Sequence, residues 1–314
     1  MELRSDLDSI GPFEERYKAF LETMTELRPN LHRYCARMTG SVLDGEDVVQ
    51  EALFEAYRKL DRFDDRLPLK PWLYRIAHNR AIDFLRKRKV RNEAEAALGE
   101  PAPTPPLNPS LLNLAPAVER LVINLPPMER ACVLLKDVFD YSLEETAEVV
   151  DSTVGGVKSA LHKGRSKLAR TPQTIRRQTL PNPQLAEVLR LYVESFNRRD
   201  WNAVRELIHA DARLRITNLF AGRLEDRYFA NFNMFPHPWQ LSLGELDQEP
   251  VVFLLGGSTP EASPSAVIRL NLCGSRIDGI QHYARCPWLF TAAETMRFEE
   301  KSLLRNWSTV ILRN

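Results

Sequence analysis

Residues 92–116 constrain this chain more than any other stretch. Pro101, Pro103, Pro105, Pro106, Pro109 and Pro116 punctuate a run with few large apolar groups. Proline fixes φ and has no N–H to donate, so neither a helix nor a central strand runs through such a segment. The stretch reads as an extended linker with packed domains on either side. At 314 residues the chain is long enough for two or three domains, and 44% hydrophobic residues suffice for their cores.

Before the linker the spacing predicts three helices. Leu21, Met24, Leu27, Leu31, Tyr34 and Met38 recur at helical intervals over 13–40, with Pro29 as a kink or boundary and Gly40-Ser41 as the stop. Asp44–Leu60 follows, with acids at its start and Val49, Ala52, Leu53, Ala56, Tyr57 and Leu60 as its buried stripe. Phe54 falls off that stripe, on a face with Asp47, Gln50, Glu51 and Arg58. An aromatic among acids suits a protein partner with basic residues, and equally a lone exposed Phe. Residues 61–70 form a loop. Lys70–Arg91 is the third helix, with Pro71 in its first turn. Leu73, Ile76, Ala77, Ala81 and Phe84 line one side; Trp72, Arg75, Asn79, Asp83 and Arg86 line the other. Arg86, Lys87, Arg88, Lys89 and Arg91 then concentrate positive charge. A stacking aromatic beside cations that track phosphates is the chemistry of single-stranded nucleic acid binding. A solvated helix ending in basic residues reads the same way, so these residues alone leave both open.

After the linker, residues 117–136 read as a helix broken at Pro126-Pro127. Ser142-x-x-Glu145 is a capping box that opens a short helix through Val150, with Leu143, Thr146, Ala147 and Val150 on one face. Asp151-Ser152 turns the chain and Thr153 caps a second helix to about Arg170, carrying Lys158, Ser159, His162, Lys163, Arg165, Ser166, Lys167 and Arg170. Two helices across a tight turn, the second basic, form a helix-turn-helix. Gly155 and Gly156, in the first turn of the second helix, would let backbone N–H groups approach a phosphate.

The formal charge of +1 hides this patterning and does not argue against nucleic acid. Cys35, Cys132, Cys273 and Cys286 show no CxxC pair and no disulfide spacing, which fits a reducing compartment. His32-x-x-Cys35 offers two metal ligands, too few to close a structural zinc site, and His282 with Cys286 offers less. No run approaches membrane-spanning length and the N-terminus carries charges from Glu2, so a cytoplasmic protein is expected, with no cofactor and no membrane partner.

Four segments occur here in a specific order: Asp47-Val-Val-Gln-Glu-Ala-Leu-Phe54, Pro71-Trp-Leu-Tyr-Arg-Ile-Ala-His-Asn-Arg-Ala-Ile-Asp83, Leu125-Pro-Pro-Met-Glu-Arg130 and Tyr141-Ser-Leu-Glu-Glu-Thr-Ala147. Together they resemble the extracytoplasmic-function (ECF) sigma factors of the sigma-70 family over residues 13–170. The resemblance implies a noncatalytic subunit that directs core RNA polymerase to promoters and helps to melt them. It implies that Asp47, Gln50, Glu51 and Phe54 dock on the β′ clamp. Trp72 and Asn79, with Arg75, Asp83, Arg86 and Arg88, would meet the −10 element, where a flipped base is held, and the loop Asp61–Leu69 would form part of its pocket. The linker would lie in the RNA exit path, and Lys158, Ser159, Lys163 and Arg165 would sit at the −35 element. The implied partners are core polymerase, through its β′ clamp and β subunits, and promoter DNA. This chain departs from the family at Gly155-Gly-Val-Lys-Ser-Ala160, where relatives commonly have Gly-Thr-Val-x-Ser-Arg.

From Gln184 the pattern changes. Leu185, Val188, Leu189, Val193 and Phe196 form a helical stripe, Asp200 caps a helix over Trp201–His209, and Leu214 and Ile216 alternate with Arg213 and Arg215. Val251–Leu255 is an apolar run, Gly256–Pro264 a turn region, and Ala266, Ile268, Leu270 and Leu272 alternate again before Arg276–Arg285. Two helices followed by antiparallel strands make an α+β domain. Tyr192-Val-Glu-Ser-Phe-Asn-Arg-Arg-Asp-Trp201 with Gly274-Ser-Arg-Ile-Asp-Gly-Ile280 resembles the SnoaL-like branch of the nuclear-transport-factor-two-like cone fold. A sigma-factor subgroup carries such a domain, and the resemblance implies regulation in cis. The Asp-Gly-Gly-Gly-Lys motif of some relatives is not in this sequence. Thr291–Leu304 is expected to be helical.

The expected fold is therefore multidomain. Two all-α sigma domains occupy 1–91 and 117–171, the second a helix-turn-helix; linkers span 92–116 and 172–183; an α+β SnoaL-like cone domain occupies 184–314. A small-molecule ligand of that last domain is left open. The competing readings are a SnoaL-like enzyme or ligand-sensing transcription regulator with a DNA-binding N-terminal half, and a regulator using only the helix-turn-helix. His209, Asp211, His237 and His282 are conceivable acid–base residues, but nothing in the sequence brings two together, and satisfied or solvated polar residues are the preferred reading.

Overall fold

The computed structural model describes residues 12–64, 68–97, 121, 124–170, 183–217, 219–225, 227–234, 239–256, 264–300 and 308–312. These form two compact bodies. Among the described residues no helix is long and apolar enough to cross a membrane.

The first body begins with α1, Pro12–Thr39. The expected kink or boundary at Pro29 is overridden. The helix continues for ten residues because Leu31, Tyr34, Cys35 and Met38 are all buried on its core side. It ends at Gly40, whose φ of 87° is a left-handed cap and whose N–H bonds the Ala36 carbonyl at 2.8 Å. Ser41 then caps α2, Val42–Lys59, accepting from the N–H groups of Leu43 and Asp44, so this helix starts two residues before Asp44. Val48, Val49, Ala52 and Ala56 are buried, whereas Tyr57, expected on the stripe, is exposed and packs edge-on against Tyr17 at 5.7 Å. The two helices cross closely: a Cβ on Gly45 would lie 2.5 Å from the Ala36 backbone nitrogen.

After a single 3-10 turn, Leu60–Arg62, comes α3, Leu69–Ala97. It overruns the expected linker start at 92, because Asn-Glu-Ala-Glu-Ala-Ala consists mostly of strong helix formers. The rest of that linker, and the 172–182 part of the second, lie outside the described residues. Leu73, Ile76, Ala77 and Ala81 are buried and Phe84 is half-buried, as the stripe requires.

The helix-turn-helix follows. The first of its helices, α4, Pro127–Val133, widens into a π-turn over Leu134–Val138. Next is α5, Leu143–Val149, with both halves of the Ser142/Glu145 capping box formed. Asp151, at φ 53°, turns the chain into α6, Val154–Arg170, and Thr153 Oγ1 accepts from the Gly156 N–H at 3.1 Å. Both helical modules share one hydrophobic core. Tyr34 and Tyr74 from α1 and α3 meet Phe139 and Tyr141 from the second module, at 5.2 to 6.3 Å between ring centres.

The second body opens with α7, Pro183–Asn197, and α8, Trp201–Glu206, capped by Asp200. Strand β1, Ile208–Ile216, follows, so His209 lies in a strand rather than in the expected helix. Then come β2, Phe220–Arg223; α9, Arg227–Met234; β3, Gln240–Leu246; β4, Glu249–Leu255; β5, Pro264–Cys273; and β6, Arg276–Ala284. The final elements are α10, Pro287–Ala292; β7, Met296–Glu300; and β8, Ser308–Leu312. The expected helix over 291–304 is thus overturned: Met296–Glu300 pairs with β3 through Met296, Arg297 and Phe298, alternating as a strand does; residues 301–304 lie outside the described residues. The sheet runs β2-β1-β6-β5-β4-β3-β7-β8. Its pairs are antiparallel except β1 with β6, which the all-antiparallel expectation missed. One face of the sheet packs on α7, α8 and α9 around Tyr192, Phe196, Phe229 and Phe232.

Gly45→Ala should lower stability by about 3 kcal/mol, because the new methyl meets backbone rather than a movable side chain. A lowered thermal unfolding midpoint, with helical circular dichroism retained below it, is the expected reading.

Candidate nucleic-acid interface

Helix α3 presents the flank that its spacing foresaw. Trp72 is half-buried, with its ring 4.7 Å from that of Phe63. Arg75, Asn79 and Arg86 are exposed. Asp83 lies 3.8 Å from Arg80 and 3.4 Å from Arg86, so its carboxylate spaces two guanidinium groups along the helix. Arg75 lies 3.1 Å from Asp151, in the turn of the helix-turn-helix. Both partners are exposed, and such a pair is worth no more than about 1 kcal/mol.

Arg88 is a correction. It is only 8% exposed; its Nη1 donates to the Thr39 carbonyl at 3.0 Å and lies 3.6 Å from Asp44. Burial pushes its pKa down, and Asp44 acts in the opposite direction. It stands four residues after Phe84, on the apolar stripe itself, so it braces the fold rather than facing a nucleic acid. Arg130 had no assigned role and joins it. Its Nη1 donates to the Met38 carbonyl and its Nη2 to Leu125 O at 3.0 Å, with its pKa pushed down to about 10 by burial.

On α2, Phe54 is 63% exposed with the Arg58 guanidinium 5.0 Å over its ring, and Glu51 is exposed. Gln50 is half-buried and donates to Glu46 at 3.2 Å, whereas Asp47 is buried. On α6, Lys158, Ser159 and Lys163 are exposed. Arg165 is exposed too, but it grips Asp137 through hydrogen bonds of 3.0 and 2.6 Å, which raise its pKa. The Gly156 N–H already serves the Thr153 cap and is not open to a phosphate; a Cβ on Gly155 would meet nothing nearer than 3.9 Å.

The other candidates separate. His32 Nε2 bonds the Val42 carbonyl at 2.8 Å, and burial pushes the Cys35 thiol pKa up. Among the described residues no three metal-ligating side chains gather. His209 Nδ1 accepts from the Asp211 N–H at 3.2 Å on the exposed surface. His282 is buried in the second body, and His237 lies outside the described residues.

Residues 23–91 match the Sigma-70 region 2 family and residues 116–168 match Sigma-70, region 4. The chain is 33% identical over 162 residues to ECF RNA polymerase sigma factor SigW of Bacillus subtilis, covering 48% of this chain and 87% of that protein. It is 29% identical over 230 residues to ECF RNA polymerase sigma factor SigG of Mycobacterium tuberculosis, covering 64% of this chain; it spans 62% of the length of that relative. Among solved structures, the Mycobacterium tuberculosis ECF sigma factor SigJ aligns with 87% of this chain and 98% of its own, at 20% identity and a TM-score of 0.33.

The two arginines of α3 should respond oppositely. Arg88→Met should cost about 3 kcal/mol of stability, since it leaves Asp44 buried beside an apolar side chain. Arg86→Ala should leave the unfolding midpoint within about 0.5 kcal/mol of the parent and weaken DNA binding in low salt. Thermal melts and DNA titrations on the same preparations give both readings.

Proposed function

The chain belongs to the ECF sigma factors of RNA polymerase, and on that membership we propose that it directs the core enzyme to promoters and assists in melting them. The observation that carries this reading is one chain with both sigma-70 regions in order, each turning its called polar residues outward: Arg75, Asn79 and Arg86 on α3, and Lys158, Ser159 and Lys163 on α6. Trp72 and Asn79 hold an unpaired base of the −10 element, while Arg75 and Arg86 follow the backbone and Asp83 keeps them apart. Lys158, Ser159, Lys163 and Arg165 meet the −35 element, Arg165 from its ion pair with Asp137. Gln50, Glu51 and Phe54 dock on the β′ clamp, with the buried Asp47 adding its charge. The protein works in the cytoplasm beside polymerase and needs no cofactor for this task.

Run-off transcription with purified core polymerase tests the assignment. Stacking on an unpaired base is worth about 1–3 kcal/mol, so Trp72→Ala should cost about tenfold or more on duplex promoters. It should cost little on templates already melted at −10; an equal loss on both templates refutes the melting role. Phe54→Ala should weaken core binding about tenfold and leave the circular dichroism spectrum unchanged.

The second body regulates the first within the same chain. This is supported by its separate hydrophobic core and by the SnoaL-like sequence segments. Tethering presents it at roughly millimolar effective concentration, so weak contacts suffice to bias the sigma body between a closed form and a polymerase-competent one. Deleting residues 184–314 should change core binding, run-off transcription or both. A truncated protein that matches the full chain in both assays rules out regulation in cis.

A further inference from the structure

One row of side chains crosses the helix-covered face of the second body's sheet. The strand registers align Ile216, His282, Ile268, Val252 and Leu243. Four are aliphatic and one is an imidazole. His282 Nδ1 faces the Tyr228 hydroxyl at 3.4 Å. Its Nε2 has no hydrogen-bond partner among the described residues, and neither does the hydroxyl of Tyr192 on α7. Tyr192 is fully buried and His282 is 8% exposed. Two orphaned polar atoms in one apolar interior carry a desolvation penalty that nothing in the fold offsets.

We propose that this face holds a binding site for an uncharged, ring-bearing small molecule with a carbonyl oxygen, which Tyr192 Oη and His282 Nε2 hydrogen-bond. Several observations set the ligand class. Burial pushes the His282 pKa down to about 4 and the Tyr192 and Tyr228 pKa values up, so all three groups are neutral. With the Tyr228 O–H donating to Nδ1, the imidazole proton sits on Nε2 and becomes a donor. Tyr192 supplies a second donor, and the Tyr192 charge state is felt at Tyr228, which places the three groups together. Two donors call for an acceptor oxygen. The surroundings are aromatic: Phe196 and Phe232 lie 4.9 Å apart, Phe232 stacks toward His282 at 6.4 Å, and Trp201 lies 5.8 Å from Phe229. No charged side chain belongs to this core cluster among the described residues, which excludes an ionic ligand.

The inference goes beyond the polymerase reading and is tested without polymerase, so either can fail alone. Full-length protein is titrated by calorimetry with 1-indanone and with indane, the same ring system lacking the oxygen. Indanone should bind about tenfold more tightly than indane. Tyr192→Phe should bring indanone down to the affinity of indane, and His282→Leu, which matches its aliphatic row, should do the same. The unliganded Tyr192→Phe protein should unfold at the parent midpoint or above it, because the hydroxyl removed had no partner. The proposal is overturned if indanone does not bind, if it binds no better than indane, or if its affinity survives Tyr192→Phe. It is equally overturned if Tyr192→Phe lowers the unliganded midpoint, since the hydroxyl would then already be satisfied by water.

Discussion

The last turn of α1 ends on carbonyls that two distant segments satisfy. Arg88 comes from α3 and Arg130 from α4, and they donate to Thr39 and Met38 respectively. A helix C-terminus concentrates partial negative charge on carbonyls that lack intrahelical donors. Here it is buried, so water cannot serve it, and guanidinium groups are the donors that can reach two acceptors while complementing the dipole. The arrangement fixes where α3 and α4 lie against α1. The register of α2 depends on the same point, because Gly40 and Ser41 turn the chain immediately beyond it and Gly45 must slide past Ala36.

From that anchor the outward faces follow. Once Leu73, Ala77, Ala81 and Arg88 point inward, the 3.6-residue period leaves Arg75, Asn79 and Arg86 no place but the surface. In the second module Val157, Ala160 and Leu161 turn inward against Val149 and Val150, which leaves Lys158, Ser159 and Lys163 outside. The aromatic junction of Tyr34, Tyr74, Phe139 and Tyr141 joins the two modules without using any residue of either polar face. Structure and recognition are thus carried by opposite sides of the same helices.

Much of this was legible in periodicity and capping. The α3 stripe and the Ser142/Glu145 box are local signals, and local signals do not need a partner to be read. Arg88 was misread because charge outweighed position: it follows Ala77, Ala81 and Phe84 at helical spacing, and that spacing placed it in the core. The extra turn and a half of α3 was hidden by the prolines that follow it. In the second body, α9 is only eight residues long and was missed altogether. Met296–Glu300 becomes a strand only by pairing with β3, an edge some fifty residues upstream. His282 showed its importance only through register, since nothing in its own segment tells which residues stand beside it across the sheet.

The parallel pairing of β1 with β6 also has a consequence in time. Leu214 and Ile216 find their neighbours Ile280 and His282 only after the chain between them has been made. The contacts of the sigma body, by contrast, close by Arg170. A ribosome adds about 5–20 residues per second, so the stretch from Arg170 to Ala284 takes on the order of 10 s to synthesise. During that interval the front of the nascent chain can already be folded while the sheet behind it lacks its central strand. Each new molecule therefore passes through a brief youth in which its sigma regions exist without their companion.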